Sequence, residues 1–350
     1  MASWKIERRP APLWVRPLIP VAAVVVTFLL TAVLVLFTGK NPLEVFYQFL
    51  IAPLSNQVSA VEILVKATPL LFTGAAVTFA FAAGYWNIGA EGQLLAGAIA
   101  AAGLGLVVKG WPPALAIPLI VAGGFAAGLL WALIPALLKV HLAVDEVVTT
   151  LLMNIVITFF ISFLLSGVWR DPVTQQLHSP DIAEAAMFPK LIPLSRLHLG
   201  FIIAWLVVGI CWVVLKRTAL GLRMRAMGLG AEAARFAGVN VNRTLLIAAL
   251  VSGGIAGIAG ASEVCGIHFH LIRDISPGYG YTGIIAATLG GLNPLGVSLA
   301  SLFISLIETG AQTVSRALGV PIYLGNVVEA ALLLVTLSML LLQNYRIRRA

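Results

Sequence analysis

From Ile19 to Phe37 the chain carries no charged residue, and runs of the same kind recur along its length. In hydrocarbon each unsatisfied backbone group costs several kcal/mol, so a segment of this kind must cross as a helix or as part of a closed barrel. The run lacks the period-2 alternation of barrel strands, which leaves helices. Composition agrees: 60% of residues are hydrophobic and 10% charged, with a mean hydropathy of +1.01. Ordinary soluble domains are about 25% charged.

At about 20 residues per crossing, spans are expected near 17–38, 63–82, 88–108, 113–138, 146–167, 198–215, 244–262, 281–292, 296–313 and 325–343. The fold class expected is therefore all-α, a polytopic membrane protein with about ten transmembrane helices. The eighth is too short to cross alone and reads as a half-helix joined to the turn Ser276-Pro277-Gly278-Tyr279-Gly280. The basic start of the chain (Lys5, Arg8, Arg9, Arg16) ahead of an apolar run resembles a secretory signal. The run is too long for one and ends without a small-x-small cleavage site, so it reads as the first span.

Orientation follows the bias of Lys and Arg. With the amino terminus cytoplasmic, fourteen of the 22 basic residues fall on inner segments and seven on outer ones, with Lys66 near the outer end of the second span. Both termini are then cytoplasmic. The net charge of +8 is explained by this topology, and no nucleic-acid partner is expected. Five spans in each half would make the second unit inverted relative to the first.

The inner segment 216–243 is the most distinctive loop. It holds six basic residues and one acid, with Glu232-Ala233-Ala234-x-x-x-Gly238 at its centre. A short basic helix held at the cytoplasmic face between spans is suited to dock into a groove on a soluble partner. Arg223, Arg225, Met227, Glu232, Ala233, Ala234 and Gly238 are the residues expected to couple to it. The chain has no G-x-x-x-x-G-K-[ST] loop; Gly39-Lys40 is followed by Asn41. ATP and its Mg, if used, belong to another subunit, and no cofactor is expected on this chain.

Polar groups cluster at Trp86-Asn87-Ile88-Gly89-Ala90-Glu91-Gly92-Gln93. Asn87 is expected to cap the third span and Glu91 to complement its dipole. Intramembrane polar residues are functional candidates by default, so a structural knot and a gate are both open readings. Glycines around the third span and at 253, 254, 257 and 260 suit close helix packing, a pathway wall being the other reading. Glu263, Glu308 and Glu329 have no His or Lys spaced beside them within a span, so hydrogen bonding between helices is expected rather than a proton relay. His268 and His270 with Cys265 lack a fourth ligand for a metal; the two histidines read as surface residues on the outer face. Cys211 and Cys265 are expected to be far apart and unpaired. An ion-coupled carrier and an intramembrane enzyme are the rival classes; the latter needs a catalytic constellation that the sequence does not offer.

The runs NIGAEGQLLAGA (87–98), VDEVVTTLLMN (144–154), GLRMRAMGLGAEAARFAGVNV (221–241) and SGGIAGIAGASEVCG (252–266) resemble permease subunits of ABC importers of the branched-chain amino acid and simple-sugar superfamily. Within it the chain is most similar to the nucleoside branch served by a lipoprotein receptor of the basic-membrane-protein type. The resemblance spans nearly the whole chain and implies a single permease domain over 1–350 in the bacterial inner membrane. It implies as partners an ABC ATPase, a second related permease and an extracytoplasmic binding lipoprotein. The I-x-L-P tail of the importer coupling pattern is missing after Gly238. For a nucleoside, Trp86, Asn87, Glu91, Gln93, Asn154 and Tyr279 are the candidate pathway residues, and a sugar pathway would look much the same.

Overall fold

The computed structural model describes residues 4–8, 18–172 and 175–349; the basic residues Arg9 and Arg16 lie outside them. Helix α1 (Leu18–Phe37) is followed by two short helices, α2 (Pro42–Leu50) and α3 (Ala52–Ser55), then α4 (Gln57–Phe81), α5 (Ala90–Val107), α6 (Pro113–Leu142) and α7 (Glu146–Ser166). The second half contains α8 (Gly200–Arg217), α9 (Ala219–Leu229), α10 (Ala231–Phe236), α11 (Val241–Glu263), α12 (Tyr279–Leu289), α13 (Pro294–Leu318) and α14 (Leu324–Asn344). Among the described residues seven helices are long and apolar enough to cross a bilayer: α4 to α8, α11 and α13. Shorter apolar stretches lie within α1 and α14, and α12 is the half-helix expected from its length.

Three departures from the sequence reading have clear local causes. α2 and α3 were not expected; Asn41 caps α2 by accepting the Leu43 N–H at 3.0 Å, with Pro42 at the first helical position, where proline's missing N–H costs nothing. α4 starts at Gln57, six residues ahead of the apolar run, because Asn56 caps it by accepting the Val58 N–H and Glu62 finds a partner in Arg196, in the loop ahead of α8. A short ladder, β1 (Trp4–Arg8) with β2 (Tyr345–Arg349), pairs the two chain ends antiparallel, the one strand pair in an otherwise helical chain among the described residues.

Small residues set the core. α11 packs between α5 and α6 through facing glycines: a Cβ on Gly97 would strike the Gly257 carbonyl, and one on Gly257 the Gly124 carbonyl. Such contact lets backbones approach where lipid gives helices no hydrophobic reason to associate. Beyond Glu263 the helix continues as a π-turn, Val264–His268, so His268 belongs to the helix end rather than to a loop. Cys211 and Cys265 are buried and free.

Candidate functional site

α5 and α12 correspond to the third expected span of each half, and their amino-terminal ends meet inside the bundle. The Glu91 carboxylate accepts the Gly280 N–H at 2.7 Å and a hydrogen bond from the Ser276 side chain. Ser276 Oγ in turn accepts the N–H groups of Gly278 and Tyr279. Two positive helix ends thus converge on one carboxylate. An inverted five-helix repeat would bring its two third members together in this way.

The expected cap of α5 is replaced by a different arrangement. Gly89 occupies the cap position without a side-chain bond, and the free Gly92 N–H is accepted by Asn154 Oδ1 at 2.9 Å. Asn87 instead exchanges two hydrogen bonds with Gln93, at 2.8 and 3.0 Å, and donates to Ser252 Oγ, which donates to the Ala76 carbonyl. Asn87 stops short of the cap because its Oδ1 is taken by Gly89 N–H and Gln93. Asn154 donates to the Ile88 carbonyl and the Tyr281 hydroxyl. Asn87, Gln93, Asn154 and Ser252 are buried and mutually satisfied, and with the more exposed Tyr281 they tie α4, α5, α7, α11 and α12 into one knot.

Trp86 stands apart. It is half exposed, its N–H points to Glu146 Oε1 at 3.4 Å, and Glu146 pairs with Lys139 at 2.5 Å. Neighbouring Tyr85 is fully buried, and among the described residues its hydroxyl has no partner. Burial, aided by the nearby Glu146 charge, pushes that hydroxyl's pKa well above its ordinary value.

Among the sequence candidates for the pathway, Tyr279 lines a cavity in the described residues. The cavity, about 320 Å³, lies between α4, α12, α13 and α14 and also receives Lys66, Thr282, Glu308, Gln312, Asn326 and Glu329. Lys66 Nζ lies 3.9 Å from Glu308 Oε2. The cation absent from the vicinity of Glu308 in the sequence is therefore supplied by α4. One turn before Lys66 on α4, Glu62 pairs with Arg196 from the segment ahead of α8. Glu263 lies 4.0 Å from His268, while His270 pairs with Asp181 at 3.0 Å, so the two histidines serve different acids.

The basic segment 216–243 forms two helices, α9 and α10, broken at Gly230. Thr218 Oγ1 caps α9 by accepting the Gly221 N–H. Met227 and Ala234 are buried, whereas Arg223, Glu232, Ala233 and Gly238 are exposed. Arg225 keeps one buried guanidinium nitrogen without a partner among the described residues. Gly238 takes φ +84°, a left-handed conformation that favours glycine. Two large apolar side chains stand fully in the open: Leu229 is 92% and Phe236 96% exposed. Gly228 rests on the Ala82 carbonyl, which joins α9 to the turn leading into the Asn87 knot.

Residues 59–337 match the family described as branched-chain amino acid transport system permease component. The chain belongs to that family. This permease is 33% identical over 79% of its length to the guanosine ABC transporter permease protein NupP of Bacillus subtilis, covering 80% of that relative. It is 32% identical over 90% of its length to the nucleoside ABC transporter permease protein NupB of Lactococcus lactis, covering 89%. It is also 32% identical over 97% of its length to the glucose ABC transporter permease protein TsgB13 of Haloferax volcanii, covering 92%. No solved structure matches the chain.

Sequence reasoning about this permease missed Lys66, Glu308, Gln312, Asn326 and Glu329 as one group, since they come from three helices. It also missed Leu229 and Phe236. The sequence did not single them out, because the same segment also holds Leu220, Leu222, Met224 and Met227, and which of these face outward is set by packing.

Proposed function

We propose that this permease is the membrane subunit of an ATP-binding-cassette importer that carries a nucleoside, delivered by an extracytoplasmic lipoprotein receptor. It works with a second, related permease and with an ABC ATPase that holds ATP and Mg; this chain supplies no ATPase site. It lies in the bacterial inner membrane with both termini cytoplasmic, an orientation supported by the basic-residue bias and by the pairing of β1 with β2 at one end of the bundle.

The observation that carries the reading is the α9–α10 segment. It exposes Leu229, Phe236 and Arg223 and rests Gly228 against Ala82. Force applied at this surface reaches the α4–α5 turn and, through Asn87 and Glu91, the start of α12. Nucleotide drives the switch only through its differential affinity for two states, so the segment acts by linking ATPase closure to the helix junction. Nucleoside specificity is supported by the names of two of the relatives; the glucose permease supports a sugar as the alternative.

The test is uptake by liposomes carrying the assembled importer. Nucleoside uptake should require ATP and receptor, resist ionophore and exceed ribose uptake. Bulky residues at Ala234 and Gly238 should abolish receptor-stimulated ATPase. Transport by this chain alone, collapsing with ionophore, would replace the reading with an ion-coupled carrier.

A further inference from the structure

Between Pro189 and Leu199 the chain reverses in a tight hairpin ahead of α8, which on the orientation proposed above lies outside the cell. Lys190 and His198 form an antiparallel bridge. The Leu191 N–H is accepted by the Leu197 carbonyl at 2.8 Å and the Leu199 N–H by the Pro189 carbonyl at 3.0 Å. At the tip the Ile192 carbonyl accepts both the N–H and the hydroxyl of Ser195, at 3.2 and 2.8 Å. Leu197 and His198 are buried, the Phe188 N–H is held by the Cys265 carbonyl, and Arg196 is tied to Glu62 of α4. The reversal is therefore fixed on both sides of its tip.

Leu194 stands at the apex with φ +61°, in the left-handed region, where a Cβ crowds the following carbonyl. Glycine takes that conformation freely, and asparagine with less strain. The leucine side chain is fully exposed, so burial within this chain returns nothing for the strain. The hairpin itself has no use for a large apolar residue here, which leaves a contact outside the chain.

The surroundings decide the kind of contact. Lipid tails are excluded, because irregular backbone exposed to lipid does not occur within the hydrocarbon, and the neighbouring Arg196 side chain is 58% exposed. Beside the tip lies a cavity of about 310 Å³, lined by Ile192, Pro193 and Leu194 and by Val58 and Val61 from the first turns of α4. It leaves room for a protein to close around the leucine and desolvate it, the setting in which interface anchors act. Lys190 and Arg196 flank the tip, and of the two only Arg196 has a carboxylate partner among the described residues. The complementary surface is therefore acidic.

We infer that Leu194 is a preformed anchor for the extracytoplasmic receptor, seated in an apolar depression of that protein whose rim bears a carboxylate opposite Lys190. The inference rests on the importer reading above and adds the place on this chain where the receptor is held.

The test is binding of the purified receptor to the assembled importer in lipid nanodiscs. Leu194→Gly and Leu194→Asn should each weaken receptor affinity at least tenfold while the melting midpoint of the permease holds or rises, because both relieve the turn. A residue that served only the fold would move the two readouts together. Lys190→Glu should weaken binding about fivefold at low salt and not at about 1 M NaCl, where the Debye length is about 3 Å. Cys211 and Cys265 are buried, so in Leu194→Cys a benzophenone maleimide marks the tip alone, and irradiation should cross-link it to the receptor. Adducts confined to lipid or to the second permease, or unchanged receptor affinity in both Leu194 variants, overturn the anchor. A fall in melting midpoint that accompanies the loss of affinity overturns it as well. Binding by Lys190→Glu equal to wild type at low salt overturns the acidic rim. Failure of the receptor to bind the wild-type importer sinks the importer reading, whereas binding that ignores Leu194 sinks the anchor alone.

Discussion

Gly280 donates its N–H to the carboxylate of Glu91 across 189 positions of sequence. The contact joins the beginnings of α5 and α12, and no water-exposed alternative exists for either group. Glu91→Ala would leave buried donors unpaired at a cost of about 1–3 kcal/mol and remove a charge favoured by two helix dipoles. Glu91→Gln keeps an acceptor and should lose less. Thermal unfolding of the purified permease in detergent checks the order wild type, Glu91→Gln, Glu91→Ala. Equal midpoints for all three would mean that the junction contributes nothing to stability.

The glycine contacts make a sharper prediction, because their geometry leaves no rotamer to adjust. A Cβ at Gly257 meets the backbone of both Gly124 and Gly128. Even Gly257→Ala must push α11 away from α6, losing van der Waals contact along both helices. We expect a loss of more than about 2 kcal/mol, in the range of overpacked cores, and failure of Gly257→Leu to accumulate in the membrane. Gly209 is the control: a methyl group there would have nothing within 4 Å, so Gly209→Ala should be neutral or slightly stabilising. Membrane expression level and detergent melting curves decide between them.

Leu229 and Phe236 should bear directly on partner binding. Buried aromatic anchors dominate protein interfaces, and both side chains are free in this chain. Phe236→Ala and Leu229→Ala should each weaken retention of the ATPase subunit on the permease by tenfold or more, with melting of the isolated permease unchanged. Met227→Ala should do the reverse, lowering stability first because Met227 is buried. Co-purification at graded ATPase concentration measures the first effect and unfolding the second.

How far the sequence reveals this molecule depends on whether a signal is local. α7 and α14 could be bounded to within a residue or two, because apolar runs end at polar caps such as Asp145, which accepts the N–H groups of Val147 and Val148. α4 could not, since the polar residues Gln57, Ser59 and Glu62 make its first turns look like a loop until Arg196 arrives from elsewhere in the fold to pair with Glu62. The same holds for the site. The polarity of Asn87, Glu91 and Gln93 was visible, but the contacts that Ser252, Gly280 and Asn154 make with this segment span 62 to 189 positions. Which polar residues satisfy one another and which face a cavity is settled by packing, and a one-dimensional pattern does not contain it.

His198 gives the permease a predictable acid sensitivity. It sits just ahead of α8, fully buried, with Nδ1 accepting the Gly200 N–H at 3.1 Å and with Gly266 tight against its ring. Burial lowers its pKa from 6.5 to about 4. Above pH 6.5 the imidazole is neutral folded and unfolded, and contributes no pH dependence. Between 6.5 and 4 the unfolded chain takes up the proton and the folded one does not, so stability falls with pH by about 3 kcal/mol in all. Protonation of the folded form would also oppose a ring N–H to the Gly200 N–H. His198→Asn keeps a short acceptor for that N–H and cannot titrate, so the difference in unfolding free energy between variant and wild type should change by this amount between pH 7 and 4 and be flat above 7. A difference independent of pH would show that the ring is protonated, or solvated, in the folded permease.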